Sequence, residues 1–149
     1  MILSAKVALI TGGSKGLGRS ISLAYAREGA SVVTCSRDPA RLKEVEHDLS
    51  AIQASCLTLP ADISKPDDVK KLVDQCVSRF ERIDVLVNNA SVLGPRVEIV
   101  EYPVDQWEEV LGVNLFGAFL LSKEVSRIMI NQRSGSIINV TSSVRRRGR

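Results

Sequence analysis

Short apolar runs recur along this chain and predict five buried β-strands, because strands that are covered on both faces read as nearly continuous apolar segments. The runs are Lys6–Thr11, Ser31–Cys35, Cys56–Leu59, Asp84–Val87 and Ser136–Val140. The segments between them carry apolar residues at helical spacing instead. Strands that alternate with helices in this way predict an α/β fold, a three-layer sandwich around a parallel sheet of about five strands.

Helix signals fill the intervals between these strands. The first helix, Gly16–Glu28, is predicted to bury one face, which consists of Leu17, Ile21, Ala24 and Tyr25. Asp38 is a candidate N-cap for the second helix, and Ser64 is one for the third. After a long polar loop, Ser91–Pro103, the chain is predicted to be mostly helical over residues 105–131.

The composition adds limits on location and partners. With 44% apolar and 25% charged residues, the 149-residue chain reads as one soluble domain. It carries no apolar run of membrane-spanning length and no signal peptide, so a cytoplasmic location without a membrane partner is expected. A net charge of +3 gives no case for nucleic acid. Three isolated cysteines and one histidine favour buried thiols over a metal site.

A glycine-rich loop, TGGSKGLG at residues 11–18, joins the first strand to the first helix. Glycines allow a tight turn and bring bare backbone against a pyrophosphate, and the following helix N-terminus offers unpaired N–H groups. The loop therefore predicts a dinucleotide site. The alternative is a tight turn that binds no ligand.

The spacing of the loop, G-x-x-x-G-x-G, resembles the cofactor loop of the short-chain dehydrogenase/reductase family, and later motifs resemble that family in order. Asp62, in Ala61-Asp62-Ile63, resembles the aspartate that contacts adenine. Asn88-Asn89-Ala90-Ser91 resembles the NNAG motif, with serine in place of its glycine. Asn114 resembles the helix asparagine of the catalytic set, and Ser142 resembles the serine that binds the substrate carbonyl.

The resemblance implies a doubly wound Rossmann sheet over a domain at residues 1–144, followed by a basic tail at 145–149. It also implies a set of cofactor-binding residues, namely Gly12, Ser14, Lys15, Gly16, Leu17, Gly18, Arg37, Asp62, Ile63, Asn88 and Ala90. Taken singly, these motifs have structural alternatives. The two asparagines at 88 and 89 can shape a turn, and Asn114 can kink a helix.

The residues after the second strand bear on the choice of cofactor. A site that prefers NAD usually has an acidic residue there, which bonds the ribose hydroxyls. This chain has Ser36 followed by Arg37, and a guanidinium can grip a 2′-phosphate through two parallel hydrogen bonds. Lys15 adds a second positive charge. NADP(H) is therefore favoured over NAD(H), the alternative being that both cations are only solvated surface charges.

The family's general acid/base is a tyrosine in a Y-x-x-x-K motif about a dozen residues beyond the serine. The tyrosines of this chain are Tyr25 and Tyr102, and neither begins such a motif. The sequence therefore predicts the cofactor-binding part of an NADP(H)-dependent oxidoreductase, acting on a small-molecule carbonyl or alcohol and lacking the family's C-terminal strands and helices. A non-catalytic dinucleotide-binding module and an inactive truncated product stay open as alternatives.

The resemblance also bears on assembly. Members of the family pair through the region of the long helix that begins here near Asp105, which implies a homo-oligomer. The last predicted strand, Ser136–Val140, is expected to lie at an edge of the sheet with its backbone groups open to pairing.

Overall fold

Five parallel strands form one sheet in the computed structural model, which describes residues 1–142. In chain order the strands are β1 (Val7–Thr11), β2 (Ser31–Ser36), β3 (Cys56–Pro60), β4 (Val85–Asn88) and β5 (Ser136–Asn139). Their spatial order is β3-β2-β1-β4-β5, with β5 at an edge as expected. The predicted parallel α/β sheet is confirmed. The basic tail predicted at residues 145–149 lies outside the described residues.

The helices lie between the strands at the predicted places. They are α1 (Gly16–Arg27), α2 (Pro39–Ala51), α3 (Pro66–Phe80), α4 (Val104–Leu111) and α5 (Ala118–Gln132). A wide π-helical turn, Gly112–Gly117, joins α4 to α5, and a single 3-10 turn, Ile99–Glu101, interrupts the long loop before α4. Of the helices in residues 1–142, none combines the length and the apolar character needed to cross a bilayer.

Two apolar clusters cover the two faces of the sheet and give the sandwich its three layers. On one face, α1 and α2 pack against alternate strand residues such as Ala8, Ile10 and Val32. On the other face, α3 and α5 cover Leu9 and Leu86 among others. Because strand side chains alternate between faces, both sides of β1 are buried, which accounts for its continuous apolar sequence.

The predicted inner face of α1 is partly wrong. Leu17 and Ala24 are exposed, whereas the residues buried against the sheet are Gly18, Ser22 and Ala26. These three small residues are spaced four apart and therefore lie on one helical face. They allow the helix to approach the sheet closely, which large apolar residues at the same positions would prevent.

The helix caps give one confirmation and one correction. Asp38 caps α2 as predicted, its carboxylate accepting hydrogen bonds from the N–H groups of Ala40 and Arg41. Ser64 does not cap α3, because the N-cap position is taken by Lys65 and the Ser64 hydroxyl donates to Asp62 Oδ1 at 2.7 Å instead. A nearby carboxylate thus outcompetes the helix backbone for this hydroxyl.

Candidate nucleotide-binding site

The candidate site lies where the direction of strand order reverses. β1 lies between β2 and β4 in the sheet. The chain leaves β1 for α1 on one face of the sheet, whereas after β4 it returns through α5 on the other face, so the switch point lies between the carboxyl ends of β1 and β4. Open α/β sheets bind ligands at this kind of topological switch point. The glycine loop leaves β1 there, and the Asn88-Asn89-Ala90 segment leaves β4 beside it.

The glycine loop is folded so tightly that side chains are excluded from three of its positions, Gly12, Gly13 and Gly18. A Cβ atom on Gly13 would collide with the Thr34 side chain. Gly12 has a φ of +66°, and a Cβ atom there would lie 2.8 Å from Ala90 Cα. A Cβ on Gly18 would collide with the carbonyl of Gly12. Gly16 differs, since its φ of +52° needs glycine but nothing lies within 4 Å of its Cβ position. The loop is therefore packed on its protein side and open at Gly16.

Thr11 and Asn89 fasten this loop to the end of β4. The Thr11 hydroxyl oxygen accepts hydrogen bonds from the backbone N–H groups of Asn89 and Ala90, both at 3.0 Å. In return the Asn89 side-chain amide donates to the Thr11 carbonyl at 2.9 Å and to the Gly12 carbonyl at 3.4 Å. The two loops therefore hold each other in place. Sequence reasoning assigned no binding role to Asn89, although the paired asparagines were the signal that pointed to it.

The N-terminus of α1 follows the glycine loop directly and lacks a side-chain cap within the described residues. Lys15 is the N-cap residue. Unpaired N–H groups and the positive end of the helix dipole suit a phosphate. Ser14 is buried and donates to the Ser36 hydroxyl at 2.8 Å, whereas Leu17 is 56% exposed beside the opening.

Asp62 and Ile63 follow β3 and differ sharply in exposure. Ile63 is only 5% exposed and fits against Gly117, where a Cβ would lie 2.8 Å from its side chain. A ligand would thus meet the backbone of Ile63 and not its side chain. Burial by itself raises the pKa of Asp62, but hydrogen bonds from Ser64 and the positive charge of Arg37 outweigh it and hold the pKa below its usual value. Asp62 is therefore a carboxylate at neutral pH.

Arg37 lies beside this segment and already has a partner. Its Nη1 atom donates to Glu109 Oε1 of α4 at 2.9 Å, and both side chains are about half exposed. Lys15, the other cation of the predicted 2′-phosphate pair, is exposed and has no ion-pair partner among residues 1–142. Glu109 was not foreseen, because 72 positions separate it from Arg37.

Asn88 is buried at the end of β4 and links three elements. Its side-chain amide donates to Ser122 Oγ on α5 at 3.1 Å and to Asn139 Oδ1 on β5 at 2.9 Å. Its own Oδ1 atom is buried, and within residues 1–142 it has no hydrogen-bond partner. An unpaired buried acceptor is costly, so this atom is a candidate contact for a bound water or ligand group.

The two residues of the predicted catalytic set make no hydrogen bond to the glycine loop within residues 1–142. The Asn114 side chain forms a reciprocal pair with the backbone of Val92, donating to its carbonyl and accepting from its N–H, both at 2.9 Å. Asn114 lies in the wide turn between α4 and α5, so the sequence's alternative, a distorted helix, occurs here. Ser142 is exposed just beyond β5. Within residues 1–142, no hydrogen bond joins Asn114 to Ser142.

Comparison with protein families shows which family the chain belongs to. The family model for short chain dehydrogenases matches residues 6–149, which is nearly the entire chain. This chain belongs to the short-chain dehydrogenase family. The resemblance seen in the glycine loop and the later motifs is thereby confirmed, and the sheet described above is the family's Rossmann-type sheet.

Individual members of the family align along most of the chain. A short-chain dehydrogenase/reductase of Macrophomina phaseolina is 37% identical over 149 residues, covering 98% of this chain and 85% of that protein. A 3-oxoacyl-[acyl-carrier-protein] reductase of Synechocystis is 36% identical over 141 residues, covering 94% of this chain and 57% of the reductase.

Solved structures of the family superpose closely on the fold. NAD+-bound xylitol dehydrogenase gives a TM-score of 0.94 at 31% identity, covering 100% of this chain and 57% of that chain. A metagenomic short-chain oxidoreductase in complex with NADP gives 0.92 at 31% identity, covering 97% and 65%. The chain thus spans between half and two thirds of these two chains, which differ from each other in the cofactor bound.

Proposed function

We propose that this chain binds NADP(H) and forms the cofactor-binding part of an oxidoreductase, one that acts on a small-molecule carbonyl or alcohol. The observation that carries the proposal is the glycine loop, which is locked to β4 by Asn89 on its protein side and open at Gly16 beside the uncapped N-terminus of α1. Bare backbone and free N–H donors at one place suit a pyrophosphate. Membership of the short-chain dehydrogenase family supports the same ligand class.

Different residues around the loop are proposed to contact different parts of the dinucleotide. The loop backbone at Ser14 and Leu17, together with the glycines at positions 12, 16 and 18, meets the pyrophosphate. Asp62 accepts a hydrogen bond from adenine while the Ile63 backbone borders the ring. Asn88 and Ala90 line the ribose on the nicotinamide side, where the unpaired Asn88 Oδ1 atom offers an acceptor. When bound, the nicotinamide supplies or accepts the hydride.

The preference for NADP(H) rests on charge at the end of β2. Arg37 and Lys15 are the cations near the place where an adenosine 2′-phosphate would lie, and no carboxylate occupies the position of Ser36. A carboxylate there would repel a phosphate, whereas a guanidinium binds it with charge-assisted hydrogen bonds. NAD+ and NADP both occur among the solved relatives, so these residues, and not family membership, decide the preference.

On the substrate side, the proposal gives Ser142 the task of orienting the substrate oxygen. Because the Asn114 side chain is already paired with Val92, its support of a proton-relay water would come from its backbone carbonyl. The proposed general acid/base is not among the residues of this chain, since neither Tyr25 nor Tyr102 begins a Y-x-x-x-K motif.

Titration with NADPH and with NADH tests the proposal, with nicotinamide fluorescence as the readout. We expect saturable binding that favours NADPH, and an Arg37→Asp variant that loses about tenfold or more for NADPH, since hydrogen bonds to charged groups contribute about 1.5–3 kcal/mol. Lys71→Asp, at an exposed position on α3, makes the same charge change away from the site and serves as the control. Equal affinity for both nucleotides, unchanged by Arg37→Asp, would contradict the preference.

We also propose that copies of the chain pair through α4, the wide turn and α5. Exposed apolar side chains recur there at helical spacing, namely Val104, Trp107, Leu111, Leu115 and Phe119. A continuous apolar stripe of this kind marks an interaction surface. Sedimentation analysis should give a dimer or larger assembly for the wild type and a monomer for Leu115→Glu/Phe119→Glu, whereas an exposed Ile52→Glu should not change the assembly. A monomeric wild type at micromolar concentration would overturn this part.

A further inference from the structure

Arg37, the cation proposed to bind the 2′-phosphate, is already engaged by a carboxylate from another part of the chain. Arg37 follows β2 and Glu109 lies on α4, and their Nη1 and Oε1 atoms are 2.9 Å apart. The two side chains are 51% and 52% exposed, so solvent and ligands reach the pair. An ion pair this open is weak and can be exchanged for another partner.

The helical turn that carries Glu109 borders the segment proposed to hold adenine. Gly112 lies three residues beyond Glu109, and a Cβ atom at Gly112 would be in ordinary contact with Ser64 Cβ at 3.4 Å. Arg37 is close enough to Asp62 to lower the pKa of its carboxyl group. The Arg37 guanidinium therefore lies near two carboxylates, that of Glu109 on α4 and that of Asp62 after β3.

A 2′-phosphate would have to compete with Glu109 for the same donors. The guanidinium offers its N–H groups in a planar fork, and a bidentate grip on phosphate uses two of them at once. One nitrogen of that fork is committed to Glu109. A dianionic phosphate on the same guanidinium would also lie close to the Glu109 carboxylate and repel it. Nucleotides that lack the 2′-phosphate impose no such exchange.

We propose that Glu109 is a specificity-determining residue that competes with the 2′-phosphate for Arg37 and so limits the preference for NADP(H). This inference rests on the proposed function, because it assumes that Arg37 meets the phosphate. Glu109 acts through Arg37 and is a positioning residue: with NAD(H) it keeps the guanidinium paired, and with NADP(H) it must release it.

The test uses two probes that differ only in the group at issue, adenosine 2′,5′-bisphosphate and adenosine 5′-monophosphate, titrated calorimetrically into the 149-residue chain. Glu109→Gln should tighten the bisphosphate by about two- to fivefold, the range expected for releasing an exposed ion pair, and leave the monophosphate unchanged. Glu108→Gln removes the same charge from the neighbouring exposed position of α4 and should leave the ratio of the two affinities unchanged. An equal rise in that ratio for both variants would overturn the inference.

A double-mutant cycle separates action through Arg37 from a general effect of charge. In an Arg37→Gln background, Glu109→Gln should no longer change the affinity for the bisphosphate. An effect of the same size in that background would contradict the proposed competition. The melting temperature of each variant verifies that the compared proteins are folded.

The two levels of the proposal fail in different ways. A wild type that does not prefer the bisphosphate over the monophosphate would contradict the proposed 2′-phosphate site and the competition with it. A wild type that does prefer the bisphosphate, with a Glu109→Gln variant that behaves identically, would leave the proposed function intact and overturn the role of Glu109.

Discussion

The two ends of the sheet differ in whether their polar groups are paired within the protein. At the amino ends of β1 and β4, the Asp84 carboxylate is 4% exposed and collects the Val7 N–H, the Lys6 ammonium and the Arg82 guanidinium, at 2.7–3.3 Å. At the carboxyl ends, the start of α1 has no capping side chain within the described residues, and Gly16 borders open space. At the amino end, which we call the closed end, the polar groups pair with one another. At the carboxyl end, which we call the open end, backbone N–H donors remain available to a ligand.

This contrast suggests that the closed end contributes mainly to stability and the open end mainly to binding. The closed end ties the strand starts together with groups 77 or 78 positions apart in the chain. The open end is held in shape by the Thr11–Asn89 contacts, which lie directly beneath the glycine loop. Substitutions at the open end should therefore change nucleotide binding, whether or not they also lower stability. Substitutions at the closed end should change the free energy of unfolding alone.

Gly18→Ala should have the largest effect, because its Cβ would collide with the Gly12 carbonyl and displace the loop that the proposal places against the pyrophosphate. We expect nucleotide affinity to fall about a hundredfold or more, a loss of about 3 kcal/mol, measured by nicotinamide fluorescence. Gly112→Ala is the matched control, since its Cβ would make only an ordinary contact. Normal binding by Gly18→Ala would break the comparison at its open end.

Thr11→Val should come next, and its effect should fall on folding as well as on binding. The substitution keeps the shape of the side chain but leaves the N–H groups of Asn89 and Ala90 without their acceptor. We expect the free energy of unfolding to drop by about 2 kcal/mol, measured by urea denaturation. Thr11→Ser restores the hydroxyl and should recover most of the loss. A Thr11→Val variant as stable as the wild type would contradict this role of the hydroxyl.

Asp84→Asn should have the smallest effect and should sharpen the contrast through its pH dependence. Burial tends to raise the pKa of Asp84, but hydrogen bonds from Arg82, Val7 and Lys6 outweigh it and lower the pKa below its usual value of 3.8. A carboxyl group with a lowered pKa in the folded state stabilises the protein above its unfolded pKa, and this contribution is lost as the pH falls through the folded value.

Urea denaturation should therefore show a loss of about 1.5 kcal/mol for Asp84→Asn at pH 7, the low end for hydrogen bonds to a charged group, because asparagine keeps one acceptor oxygen. The difference in stability from the wild type should narrow as the pH falls below 3.8. Nucleotide affinity at pH 7 should be unchanged. Asp62→Asn is the counterpart at the open end, where the carboxyl pKa is also lowered, and it should affect nucleotide binding more than unfolding. A gap for Asp84→Asn that stays constant with pH would mean that its charge is not the source of the stability.

The strands and the position of the glycine loop could be predicted from the sequence because they depend on local patterns. Each strand ends within one residue of the predicted bounds, since a doubly covered strand needs a continuous apolar run. The buried face of α1 was predicted wrongly because its contact with the sheet uses the small residues Gly18, Ser22 and Ala26. A helical pattern of large apolar residues does not reveal a buried face that consists of small residues, and such a face is what allows a helix to lie close to a sheet.

The individual motifs of the candidate site could be predicted from the sequence, but the contacts between them could not. Motifs identified the glycine loop and Asn88, yet the pairing of Arg37 with Glu109 depends on how α4 meets the end of β2. The same holds for Asn114, whose side chain is used to hold Val92. Contacts between residues so distant in sequence arise only when the elements are packed, and a single sequence carries no local signal for them.

Amide hydrogen exchange with and without saturating NADPH tests most directly whether the open end is the binding end. We expect slower exchange at residues 12–18 and 62–64, where the proposed pyrophosphate and adenine contacts lie, and unchanged exchange at residues 82–84, beside the closed Asp84 cluster. Protection at the Asp84 end, or binding with no protection of the glycine loop, would contradict the assignment of the open end as the binding end.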